Sequence, residues 1–203
     1  VLGIYALRHL PFIDFRPYKI GNNIPAQMRP QEQPVIEYLF MKDGEKVSSQ
    51  KFLPAEEGYV YKDSKVINAD KIVPKISDYA VTDTDGNDVT QQTFEGARLL
   101  FVIYNVNEAS TTNISSLQTL IKNLDGKINM MVLTASTAAD YEAFRHQHQL
   151  AVPYYFADAT VLKTMIRSNP GIALWKDGTV VNMWHHNDTP DAAEVFKLLN
   201  NHP

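Results

Sequence analysis

Ser168-Asn169-Pro170-Gly171-Ile172-Ala173-Leu174-Trp175-Lys176-Asp177-Gly178-Thr179-Val180-Val181 reads as a loop ending in proline, a buried strand, a tight turn and a second strand. Outward from it, Asp158 caps a helix through Val161, Leu162, Met165 and Ile166. Downstream, Thr189-Pro190 starts a last helix that carries Val195, Phe196, Leu198 and Leu199, with proline at its first position.

Further upstream, Ile76 to Asp83 alternates as a strand. Thr84-Asp85-Gly86-Asn87 turns, and a short helical piece ends at Gly96. Arg98 to Asn105 holds the continuous apolar run Leu99-Leu100-Phe101-Val102-Ile103-Tyr104, which suits a central strand covered on both faces. Ser110 to Thr112 opens a helix with Ile114, Leu117, Leu120, Ile121 and Leu124 at helical spacing, ended by Asp125-Gly126. Ile128 to Leu133 is a second buried strand. The helix after it holds Tyr141, Phe144 and Leu150, and Pro153 to Phe156 is a short extended piece. Strands alternating with helices imply a parallel core, to which the closing hairpin adds antiparallel strands.

The first 73 residues differ. Three prolines by position 25 exclude a long helix, and the first 30 residues carry a local charge of +3 against -7 for the rest. Alternating aromatics and charges indicate an ordered arm packed on its own domain, with contact to lipid headgroups as the other reading. Val35 to Met41, the turn Lys42-Asp43-Gly44-Glu45 and Lys46 to Leu53 read as a hairpin. Tyr59 to Asp63 and Lys65 to Ile67 suggest another. The chain thus divides into an N-terminal extension, 1–73, and an α/β domain, 74–203.

Composition narrows the chemistry. A chain of 203 residues with 44% hydrophobic and 21% charged residues can bury a core. A net charge of -4, with no basic stripe, argues against nucleic acid as a partner. The cysteine count is 0, which removes disulfides, thiolate-ligated metals and thiol nucleophiles. No apolar run approaches the ~20 residues of a membrane helix.

The order of elements over residues 74–203 resembles the TlpA/ResA branch of the thioredoxin-like superfamily. The resemblance rests on Ile76-Ser77-Asp78-Tyr79 with Asp85-Gly86, on Leu99 to Tyr104 followed by a helix, and on Asn169-Pro170-Gly171 before Ile172 to Trp175 and Lys176-Asp177-Gly178. It implies a mixed central sheet flanked by helices and a cis-proline at Pro170. Active relatives carry Cys-x-x-Cys where this chain has Asn107-Glu108-Ala109-Ser110-Thr111-Thr112-Asn113. A hydroxyl near neutral pH neither attacks a disulfide nor shuttles two electrons, so thiol–disulfide exchange and cysteine peroxidase activity are excluded. Separately, Arg8 to Gly21 resembles a segment of bacterial DoxX-like membrane proteins, which carry an extracytoplasmic thioredoxin-like domain. That resemblance implies a membrane anchor upstream of Val1 and a place on the periplasmic face of the inner membrane.

The resemblance marks one candidate site, a groove for a protein or peptide partner formed by Glu108, Ala109, Ser110, Thr111, Asn169 and Pro170. The plainer reading of Pro170 is a retained structural turn. Glu108 reads as a solvated loop carboxylate with acid–base work as the alternative, and Asp14, Asp78 and Asp140 are scattered. His185 and His186, adjacent on a strand, are expected on opposite faces and exposed. His146 and His148 lie about 200° apart on a helix, so neither pair suits a shared metal. No cofactor, metal or catalytic residue is expected. Two functions lead: a non-catalytic binding or structural module, or an accessory domain of a redox system whose cysteines lie in the membrane part or in a partner; a metal or small-ligand binder using His185 or His186 is the weaker third.

Overall fold

In the computed structural model of the chain, the described residues are 9–11 and 14–202. The apolar run Val1 to Leu7 and part of the DoxX-like segment, Arg8, Phe12 and Ile13, lie outside them.

The described chain forms two compact units. One is Gln27–Lys75; the other joins the chain up to Ala26 with the chain from Ile76 on. The division drawn from the sequence placed the arm with the small β unit, whereas its contacts group it with the larger domain.

The smaller unit is a three-stranded antiparallel sheet, β1 (Ile36–Lys42), β2 (Glu45–Ser49) and β3 (Val60–Val66), in the order β2-β1-β3. The turn between β1 and β2 forms as expected, with Asp43 and Gly44 at φ 51° and 83°. The second expected hairpin does not form, and residues 60–66 make one strand along β1. Aromatic packing favours this. Fully buried Phe40 meets Phe52, Tyr59 and Tyr61 edge-on, at ring distances of 5.4, 6.0 and 6.1 Å.

The larger unit is a six-stranded mixed sheet flanked by helices. Its strands are β4 (Val81–Thr82), β5 (Ala97–Ile103), β6 (Asn129–Thr134), β7 (Tyr154–Ala157), β8 (Gly171–Lys176) and β9 (Thr179–His185), in the order β4-β7-β6-β5-β8-β9. β5, β6 and β7 are parallel; β8 and β9 on one side and β4 at the other edge add antiparallel. Four helices follow the strands: α1 (Ile114–Leu124), α2 (Ala138–Gln147), α3 (Ala159–Met165) and α4 (Ala192–Asn201).

β5 sits between β6 and β8, and Leu99 through Ile103 are all 0% exposed, as a doubly covered strand requires. Leu99, Phe101 and Ile103 share one core cluster with Leu117, Leu120 and Leu124 of α1, Ile172 and Leu174 of β8, and Val195 of α4. The alternate residue Trp175 stacks on Phe94 at 6.1 Å and 13° and meets Tyr79 at 5.9 Å.

Four boundaries differ from the sequence reading. Of Ile76 to Asp83 only Val81–Thr82 is strand, because burial falls at Ile76, Tyr79 and Val81, which breaks the period of two. Pro153 to Phe156 supplies a full member of the sheet, β7. Helix α1 begins at Ile114 rather than among Ser110 to Thr112, which lead into it through a turn whose Ile114 N–H donates to the Thr111 carbonyl at 3.2 Å. The last helix begins at Ala192, capped by Asp191, whose carboxylate accepts from the Glu194 N–H at 2.8 Å.

The arm closes the outer edge of the sheet. Gly21 N–H donates to the Val180 carbonyl (2.8 Å), Val180 N–H to Asn22 (2.9 Å), and Ile24 N–H to Gly178 (2.8 Å). Arg16 anchors it further, pairing with Asp14 and donating to the Met165 carbonyl (3.1 Å) at the end of α3. That environment holds the Asp14 carboxyl below its usual range despite burial, which acts the other way.

Candidate functional site: the Pro170 loop and the head of helix α1

The Asn169-Pro170 bond is cis. It lies directly against the segment before α1, where Ser110 N–H donates to the Asn169 carbonyl at 2.8 Å. More bonds brace the junction. Asn169 Nδ2 donates to the Asn105 carbonyl (2.7 Å), Ser168 Oγ–H to the Pro170 carbonyl, and His186 N–H to Ser168 Oγ (3.0 Å). Asn113 Nδ2 donates to Asn187 Oδ1 at 2.8 Å. Asn169 Oδ1 is buried without a partner among the described residues.

A small crevice opens beside this junction, lined by Ser110, Asn113, Ile114, Leu117, Pro170, Ile172, His186 and Thr189. Its volume is about 10 Å³, room for about one water molecule.

Of the residues named from sequence, Ser110 and Pro170 line the crevice and Asn169 lies beneath it. Ala109 is half-buried against the core, and Thr111 is exposed. Glu108 sits on a single 3-10 turn, Val106–Glu108, and accepts from Asn105 Nδ2 at 2.9 Å. The Asn169 carbonyl accepts from the Ser110 N–H at 2.8 Å.

Asn113, Ile114, Leu117, Ile172, His186 and Thr189 were not assigned to the groove by the sequence reading. Ile114, Leu117 and Ile172 read as core positions, and core they largely are. Asn113 and His186 meet only because α1 and the end of β9 converge, which local spacing does not encode.

The histidine pair needs correction. His185 ends β9 and His186 opens a 3-10 turn, His186–Asp188, so the chain bends between them and their rings meet at 4.1 Å. His185 is 6% exposed rather than open to solvent. Burial, then His186, pushes its pKa down to about 4, and burial also lowers that of His186. His185 Nδ1 accepts from the Asn187 N–H at 3.2 Å, while His186 Nδ1 is buried without a described partner. From the arm, His9 Nδ1 lies 2.8 Å from Asp188.

Elsewhere, Asp158 caps α3 through the Thr160 N–H (2.7 Å) and Asp140 joins the Thr137 cap of α2. His146 lies 3.3 Å from Glu142, and the His148 ring packs on Phe144 at 4.5 Å. Among the described residues, no group of three or more acidic or histidine side chains is placed to hold a metal.

The parallel strands, the antiparallel closing hairpin and a cis-proline loop against the helix after the central strand make this a thioredoxin-like fold, in a chain with 0 cysteines. Solved structures similar to it include the thioredoxin domain of a thiol-disulfide oxidoreductase from Bacteroides vulgatus, 13% identical over 61% of this chain and 91% of that one, at TM-score 0.44. A thiol peroxidase from Chromobacterium violaceum is 17% identical over 62% and 84% of the two chains, at TM-score 0.43. A secreted disulfide oxidoreductase from Mycobacterium tuberculosis is 12% identical over 61% and 96%, at TM-score 0.45. No protein-family model matches the chain, and neither does a curated protein.

Proposed function

We propose that this chain is a non-catalytic, extracytoplasmic thioredoxin-like domain of a membrane-anchored bacterial protein, and that it works as a binding module. The observation that carries the reading is the Ser110–Asn169 bond of 2.8 Å. The junction where a thiol would react is braced by the chain's own hydrogen bonds, and no sulfur nucleophile exists in the sequence. A partner peptide meets the side chains of Ser110, Thr111 and Glu108, with the crevice behind Pro170. The membrane anchor and periplasmic placement rest on the resemblance of Arg8 to Gly21 to DoxX-like proteins. Among the described residues no helix is long and apolar enough to cross a membrane.

The test is an amide-resonance titration with an unfolded, carboxymethylated polypeptide. Shifts concentrated at Ser110, Thr111, Asn113, Gly171 and Ile172 are expected. Shifts confined to other surfaces, or none at millimolar probe, overturn the binding reading. A topology reporter fused to the end of the full-length protein checks the compartment, and a cytoplasmic signal overturns the extracytoplasmic placement.

A further inference from the structure

The turn after β9 reaches both sides of the crevice, the Pro170 loop and the head of α1. His186 N–H holds Ser168 Oγ at 3.0 Å, Asn187 Oδ1 holds Asn113 at the head of α1 at 2.8 Å, and the His186 ring lines the crevice itself. Thr189 Oγ–H donates to the His186 carbonyl at 3.0 Å, which fixes the turn's exit. Three imidazoles gather here around one carboxylate. His185 and His186 meet at 4.1 Å, His9 lies 6.5 Å from His185 ring to ring, and Asp188 is 2.8 Å from His9.

We propose that residues 185–188 form an acid-opened latch: protonation of His185 and His186 releases the turn from Ser168 and Asn113 and uncovers the Pro170 crevice. The proposal rests on the turn's geometry and not on whether the crevice binds a partner.

Among the described residues, the closed turn offers no acceptor for the added protons. His185 Nδ1 is the acceptor for the Asn187 N–H, so a proton there turns an acceptor into a second donor and breaks the bond. His186 Nδ1 is buried without a described partner, so its N–H in the charged ring would face no acceptor. Among the described residues, the titratable groups facing the pair are Asp188 on the turn, which favours charge, and His9 on the arm, which opposes it at His185. Burial outweighs Asp188 at both rings, so both are held in the neutral form in the closed turn. Opening returns them to water, where imidazole takes up its proton near pH 6.5. Acid therefore favours the open turn, beginning below about pH 6.5.

The experiment is native-state amide exchange on the whole chain at a series of pH values from 7 to 4.5, corrected for intrinsic rates. The readouts are His186, Asn187 and Ser110, with Leu100 and Phe101 of β5 as the internal reference. At least a tenfold loss of protection at the first three is expected, with the β5 amides unchanged. The logarithm of opening should rise with a slope approaching about two protons per pH unit. His185→Asn and His186→Asn should each reduce that slope to about one, and the double variant should abolish it. If the double variant fails to fold, the two single variants decide the matter. Three results overturn the latch: protection that does not change with pH, equal loss in β5, which is global acid unfolding, or a slope untouched by the substitutions.

Discussion

Gly171 follows the cis-proline and begins β8. A Cβ built there lies 2.6 Å from Cγ2 and 2.8 Å from Cδ1 of Ile166, which is itself 0% exposed. Ile166 has no free volume to retreat into, so Gly171→Ala should destabilise the domain by about 1–3 kcal/mol, measured by urea unfolding. A change below about 0.5 kcal/mol would mean that the Pro170 loop yields more easily than its packing implies. His185 gives a second prediction. Its pKa is pushed from the ordinary imidazole value to about 4, so the folded state favours the neutral ring. The stability this supplies is full above pH 6.5 and is lost as pH falls toward 4, up to order 2 kcal/mol. His185→Asn, which keeps a side-chain acceptor for Asn187, should flatten the fall in urea midpoint across that window. At this scale the sequence is a partial guide. The helix cap at Asp158 was legible because a cap is a local bond. The burial of His185 was not, because it depends on an arm and a turn far apart in sequence.

Among elements, the β8–β9 hairpin was the most legible, since an Asp-Gly pair between apolar runs selects a two-residue turn with positive φ. Its second role was hidden. Gly178 has φ 73°, and a Cβ there would lie 2.7 Å from Pro25 Cδ. The glycine therefore serves the turn and also makes room for the arm, whose Ile24 N–H bonds the Gly178 carbonyl. Gly178→Ala should cost about 1–3 kcal/mol and should also loosen the arm. The second effect would be seen as faster amide exchange at Gly21, Ile24 and Val180, with β5 amides moving much less. Uniform exchange changes through the sheet would remove the arm from this account. β7 was only half legible: four residues after a proline carry too few alternations to mark a strand, and pairing with β6 supplies what the pattern lacks.

For the whole molecule, the parallel core with its antiparallel closing hairpin and the missing thiol chemistry were both readable, the first from the alternation of elements and the second from the absence of one residue type; the order of the strands was not. The grouping of contacts was not readable, because the arm's partners, Met165, Gly178 and Val180 among them, lie far from it in sequence. The larger fold is interrupted between Ala26 and Ile76 by the three-stranded unit. Removing residues 33–70 and joining the flanks with a short Gly-Ser linker should leave a folded larger unit. The check is a near-ultraviolet spectrum that keeps the signature of Trp175 packed on Phe94. Loss of that signature would mean that the inserted sheet is needed for the remainder to fold.

The N–H groups of Gln31 and Glu32 both donate to the Lys71 carbonyl, at 3.0 and 3.2 Å, so the two ends of the three-stranded unit are clasped together. A guest whose two ends meet at its doorway can be lengthened, shortened or exchanged while its host keeps the same two attachment points. The sheet is thus a cassette: related chains are free to carry something else in that slot, and a designer is free to use it as a grafting position.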